Sequence, residues 1–124
     1  MDNYIYIETK LGNFNLDINT NLINGINCFF GPSGAGKTSI INCISGLHRA
    51  KNCKIIINGE TLVDTDKKYF KPIDKRRIGY VFQDSRLFPH LNIKQNLFYG
   101  YKLSRKKQKF FSKEEISLLL GLNH

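Results

Sequence analysis

From Phe14 to Ile18 the chain alternates apolar and polar residues, with Phe14, Leu16 and Ile18 on one side, which is the period of a half-buried strand. Tyr4 to Glu8 carries the same β-favouring types, and Gly12-Asn13 predicts the turn between the two segments. Asn24-Gly25 is a hairpin signal, and Ile26 to Phe30 is apolar enough throughout to predict the central strand of a parallel sheet. The period then changes. Ile40, Ile41, Ile44 and Leu47 recur at helical spacing and share one face, and Gly46 is a natural stop. Ile55 to Ile57 and Thr61 to Val63 flank Asn58-Gly59 and predict another hairpin.

Asp64 to Arg77 is polar, contains Pro72 and reads as a surface loop, followed by a short strand over Ile78 to Phe82 that ends at Gln83. Leu87 to Leu91 breaks regular structure, and Asn92 is placed to cap a helix starting near Ile93. Lys102 to Lys109 reads as a solvated loop or linker. Ser112 and Glu115 form a capping-box signature for a last helix, with Ile116, Leu119 and Leu120 on one face and Gly121 past its end.

Composition narrows this picture. At 124 residues and 41% hydrophobic content the chain is one domain or part of one, able to bury a modest core. No run approaches the roughly 18 apolar residues of a membrane span, and Met1 to Glu8 does not read as a secretory signal. Cys28, Cys43 and Cys53 are odd in number and lack metal-site spacing, so they read as buried, reduced thiols of a cytosolic protein. His48 and His124 likewise show no ligand spacing.

The net charge of +9 is uneven: residues 1 to 62 hold five basic and four acidic groups, and residues 63 to 124 hold fourteen and six. A basic half suits nucleic acid, anionic lipid or another polyanion. The cluster Arg105 to Lys109 has no aromatic interleaving, so no nucleic-acid partner is expected.

The chemistry concentrates in Gly31-Pro32-Ser33-Gly34-Ala35-Gly36-Lys37-Thr38, between the predicted strand and the predicted helix. This is the phosphate-binding pattern G-x-x-x-x-G-K-S/T in its strand, loop, helix setting. Glycines let the backbone close around an anion, successive amides converge on it, and the helix presents its positive end to the same oxygens. Lys37 would reach the β- and γ-phosphates, Thr38 would offer a hydroxyl to Mg²⁺, and Ser39 a hydroxyl near the α-phosphate. The bland reading is a glycine turn before a helix with an ordinary surface lysine.

A second motif, Arg76-Arg77-Ile78-Gly79-Tyr80-Val81-Phe82-Gln83-Asp84, resembles the glutamine loop of ABC-transporter ATPase subunits. That resemblance implies an α/β fold, with a partial P-loop NTPase core of the ABC-ATPase type, an N-terminal antiparallel β-subdomain and the start of a helical subdomain. It implies that Gln83 touches Mg²⁺ or the attacking water, so that Lys37 and Gln83 are catalytic and Thr38 and Gln83 hold the metal. Asp84 to Leu91, Asn96 to Gly100, Leu11 to Phe14 and Thr38 to Leu47 resemble the ATP-binding subunits of molybdate importers. ATP and Mg²⁺ are then the expected cofactors, with uptake of molybdate or a related oxyanion as the function. Membrane subunits would dock on the loop from Gln83 to His90. A homodimer is expected in the full-length family, peripheral on the cytoplasmic face of the membrane. In many relatives an aromatic residue near the first turn stacks on adenine; here Leu11-Gly12 stands at that place, with Phe14 close by.

The same resemblance divides the chain into a β-subdomain start at 1–25, a P-loop core at 26–83, and the glutamine loop with the start of the helical subdomain at 84–124. After Gln83 the acids are Asp84, Glu114 and Glu115, and none ends an apolar strand. Neither a Leu-Ser-Gly-Gly signature nor a switch histidine follows, since His90 precedes the place where the family carries one. The chain therefore reads as the N-terminal part of an ATPase subunit. The alternative is a truncated nucleotide-binding fragment without hydrolysis of its own. A small P-loop kinase is a third reading, which Gln83 and its flanks disfavour.

Overall fold

The two alternating segments at the start of the chain pair as expected. In the computed structural model, which describes residues 2–84, 86–103 and 111–122, β1 (Tyr4–Leu11) and β2 (Phe14–Asn21) run antiparallel around the Gly12-Asn13 turn. The second hairpin joins β3 (Asn52–Ile57) to β4 (Glu60–Asp64) through Asn58-Gly59, with an irregular register between Ile55 and Ile56. A two-residue strand, β5 (Tyr69–Phe70), adds to β4, and the sheet order is β2-β1-β3-β4-β5, antiparallel at every pairing.

The chain divides after Tyr80 into two compact units. In the first, alternation puts Ile5 and Ile7 of β1, Leu16 of β2, Cys53 and Ile55 of β3, and Leu62 and Val63 of β4 into one apolar cluster. Helix α1 (Lys37–Ser45) contributes Ile40 and Cys43 to that cluster, with Ile44 packed at its edge. Ile41 and Leu47, predicted for the same face, stay exposed at 40% and 51%. Gly46 ends α1 in the left-handed region, its N–H bonding back to the Asn42 and Cys43 carbonyls.

Among its described residues the second unit holds three short helices, α2 (Ile93–Leu97), α3 (Tyr99–Leu103) and α4 (Lys113–Leu119). The two predicted caps form. Asn92 accepts from the Gln95 amide at 2.8 Å while the Gln95 side chain accepts from the Asn92 amide at 3.0 Å. Ser112 and Glu115 close the same reciprocal box, and the hydrogen bonds that Glu115 receives from Ser112 hold its carboxyl below the usual range. Of the apolar face predicted for α4, Ile116 is half-buried but Leu119 and Leu120 are exposed.

Several expectations are corrected. Residues 26–30 and 78–82 are not strands, Asn24-Gly25 is a bend, and Ile26, Phe30 and Val81 stand almost wholly in solvent. A central strand needs a neighbour on each edge to satisfy its backbone, and among the described residues no strand pairs with either run. The polar stretch from Asp64 to Arg77 is more ordered than a surface loop: it contains β5, a 3₁₀ turn at Ile73–Lys75 and the buried Arg76. Lys102 and Leu103 belong to α3, while Ser104 to Lys109, like Ser85 and His124, lie outside the described residues.

Cys43 and Cys53 are buried as expected, whereas Cys28 is exposed on the irregular 26–30 segment. Burial pushes the Cys43 thiol up to about 11 and the Cys53 thiol up to about 12, from an ordinary 9.0. An alkylating reagent at neutral pH should therefore label Cys28 rapidly, and Cys43 and Cys53 only after unfolding. Because the folded state keeps these protons longer, their contribution to stability is complete below pH 9 and fades as pH rises toward 11 to 12. An alkaline melt that showed no loss of stability across that window would contradict the burial.

Candidate functional site

The segment from Gly31 to Ser39 forms one continuous feature at the N-terminal end of α1. Gly34 and Gly36 have φ of 82° and 87°, a region costly for any side chain. Gly36 has a second reason to be glycine: a Cβ there would lie 2.9 Å from Leu16 Cδ1 and 3.2 Å from Phe14 Cε1. The loop therefore rests on the side chains of β2, which fixes where the helix begins. Ala35 N–H closes a turn onto the Pro32 carbonyl at 3.3 Å, and the Gly36 carbonyl accepts the first helical bond, from Ile40 N–H at 3.0 Å.

Two features leave this helix end receptive to an anion. No side chain caps it, and its first turn holds no acidic residue, so the first-turn amides and the positive end of the helix are not neutralised locally. Lys37, the first helical residue, folds its ammonium back onto the loop, donating to the Gly31 carbonyl at 2.8 Å and the Pro32 carbonyl at 2.6 Å. Thr38 is exposed and Ser39 half-buried, as are Gly31, Ala35 and Gly36, while Pro32, Ser33 and Gly34 are exposed. Gln83 belongs to the second unit, where it is exposed on a bend.

The other end of α1 is held by residues that entered the sequence motif only as neighbours of Gln83, with no such role expected of them. Arg76 is only 4% exposed; its Nη1 donates to the Cys43 and Ile44 carbonyls at 3.1 and 2.7 Å, and its Nε to the Lys71 carbonyl at 2.9 Å. The guanidinium satisfies carbonyls that a helix C-terminus otherwise leaves open, and it places positive charge at the negative end of the helix. Burial lowers its pKa from the usual arginine value. Tyr80 adds a hydroxyl bond to the Asn42 side chain at 2.8 Å. The helix that carries the loop is thus seated at its start by β2 and pinned near its end by Arg76 and Tyr80. An arginine within a polar stretch gave no sign of this; the one available signal was its position shortly before an apolar run.

Residues 11–123 match the model of the ABC transporter family. The chain belongs to that family. Among similar ABC proteins, the molybdenum import ATP-binding protein ModC of Escherichia coli O6:H1 is 54% identical over 99 residues, covering 79% of this chain and 28% of that protein. ModC of Yersinia pestis is 50% identical over 100 residues, covering 80% of this chain and 28% of the relative. ModC of Photobacterium profundum is 46% identical over 121 residues, covering 97% and 33%. The chain thus spans about a third or less of the length of these relatives. Membership also gives the fold class: an ABC-type P-loop ATPase domain of mixed α/β structure, here with the five-stranded antiparallel sheet described above. No described helix is long and apolar enough to cross a membrane.

Proposed function

We propose that residues 31–39 bind the phosphates of ATP with Mg²⁺, as the nucleotide-binding portion of an ATPase that drives import of molybdate or a related oxyanion. The observation that carries this reading is the uncapped start of α1 behind two left-handed glycines, with an ammonium group tethered to the loop carbonyls. On binding, Lys37 would exchange those carbonyls for β- and γ-phosphate oxygens, and the first-turn amides would receive the remaining negative charge. The Thr38 hydroxyl and the Gln83 amide oxygen are hard donors suited to Mg²⁺, and Ser39 lies one residue further along the same turn. The similarity to molybdenum import proteins supports the oxyanion.

The same reading assigns residues 1–25 to a β-subdomain, 26–83 to the P-loop core, and 84–124 to the glutamine loop and the start of a helical subdomain. The stretch from Gln83 to His90 would meet the transporter's membrane subunits at the inner face of the membrane. Support for a docking role comes from Leu87, 66% exposed, and from Phe88, whose ring packs at a tilt against that of Tyr99, 4.5 Å between centroids. In the full-length family we expect a homodimer.

Cutting the γ-phosphate needs a carboxylate to polarise water and further charge stabilisation around the phosphoryl group. Of the acids after Gln83, Glu114 and Glu115 lie at the start of α4, and Asp84 is paired with Arg86. None of them is built as that base. These 124 residues are therefore expected to bind nucleotide and not to turn it over. Titration with ATP, with and without Mg²⁺, tests the reading. Lys37→Ala should weaken binding about 10- to 100-fold, the value of one charge-assisted contact. Equal affinity in the variant, or steady phosphate release above it, would overturn the assignment.

A further inference from the structure

A cavity of about 300 Å³ opens beside the C-terminal end of α1, at the opposite end of that helix from the phosphate loop. Its polar lining is built from His48, Arg49, Lys51 and Lys68, and its aromatic wall from Tyr69 and Phe70. No carboxylate lines it among the described residues. The Thr65 hydroxyl, which also reaches it, is engaged with the Cys53 backbone, accepting from its N–H at 2.9 Å and donating to its carbonyl at 3.2 Å. The thiols of Cys43 and Cys53 in the lining stay protonated at neutral pH, because burial holds them near 11 and 12, so they bring no negative charge.

Two further observations show unmet hydrogen-bonding capacity here. His48 Nε2 is buried and has no hydrogen-bond partner, a costly condition for an imidazole nitrogen. The Phe70 ring carries two guanidinium groups, Arg49, in the lining, at 4.4 Å and Arg76, outside it, at 4.5 Å from its centroid, and Nη2 of Arg76 is likewise buried without a partner. Donors and cations gather around one concave, partly aromatic space whose own lining holds no carboxylate, Glu8 lying near Lys51 outside it.

We propose that this cavity binds a small oxyanion carrying a short apolar or aromatic body, such as a phosphate monoester. The anionic end would meet Arg49, Lys51 and His48, and the body would lie along Tyr69 and Phe70. This site is independent of nucleotide binding at residues 31–39.

The test uses phenyl phosphate as probe, with inorganic phosphate as comparator, titrated into the Lys37→Ala chain so that the phosphate loop is disarmed. Phenyl phosphate should still bind, more tightly than inorganic phosphate. The signals that shift should come from residues 48–51 and 68–70. Adding Arg49→Gln and Lys51→Gln should weaken binding by about tenfold or more, the scale of a lost charged hydrogen bond. His48→Phe, which keeps a ring and removes Nε2, should weaken it severalfold. Should Arg49→Gln disturb packing on Phe70, Lys51→Gln alone must still weaken binding, since Lys51 is exposed. Loss of all binding in Lys37→Ala, affinity indifferent to Arg49 and Lys51, or equal affinity for the two probes would overturn the proposal. None of these outcomes alters the nucleotide titration, so the two readings fail separately.

Discussion

Replacing Gly46 with alanine is expected to lower the stability of the first unit by about 3 kcal/mol, combining left-handed backbone strain with overpacking. The backbone at Gly46 has φ of 91°, and a Cβ there would sit 2.9 Å from Arg76 Cζ, 3.0 Å from Arg76 Nε and 3.0 Å from Ile73 Cγ1. A flexible, exposed arginine would swing aside. Arg76 cannot, because it is buried and spends its Nε and Nη1 on three carbonyls. Urea unfolding measures the loss. A double-mutant cycle with Arg76→Ala isolates the part due to Arg76, since that share of the crowding should vanish in that background while the backbone strain and the contact with Ile73 remain. A loss below about 1 kcal/mol would mean that the clip at the end of α1 is looser than its hydrogen bonds indicate.

Ile55→Ala should cost about 2 to 5 kcal/mol, a large fraction of the roughly 5 to 15 that holds a domain folded. Ile55 has no exposed surface and lies opposite Ile5 on one side and Val63 on the other, so the cavity left behind is bounded by paired strands that cannot collapse freely. Its counterpart is Ile26→Ala. Ile26 is 94% exposed, and its truncation should change stability by about 0.5 kcal/mol or less. Comparable losses at the two positions would show that residues 26–30 pack as a strand after all.

That contrast marks what could be read in the residues. Both hairpins were legible because alternation and an Asn or Gly turn specify a register locally, and the caps at Asn92 and Ser112 because each box closes within four residues. Ile26 to Phe30 and Ile78 to Phe82 misled because an apolar run states only that it needs company, without saying where the company comes from. Arg76 was hidden for the opposite reason. Its burial follows from carbonyls of Cys43 and Ile44, more than thirty residues away, which no local pattern encodes. In the candidate site, spacing marked out Gly31 to Ser39 and a helix there, which begins at Lys37 within the motif. It gave no hint that Lys37 bonds to the Gly31 and Pro32 carbonyls, or that Phe14 and Leu16 crowd against Gly36.

The pairing of β1 with β3 has a kinetic consequence. Tyr4 lies opposite Ile56 and Glu8 opposite Asn52, so everything from the first turn to Lys51, the phosphate loop and α1 included, is threaded between strands that must find each other across the sequence. Closing so long a loop costs entropy before any ladder bond repays it, whereas the β1–β2 and β3–β4 hairpins close locally. The slow event in folding is then expected to be the zipping of these two hairpins along β1 and β3.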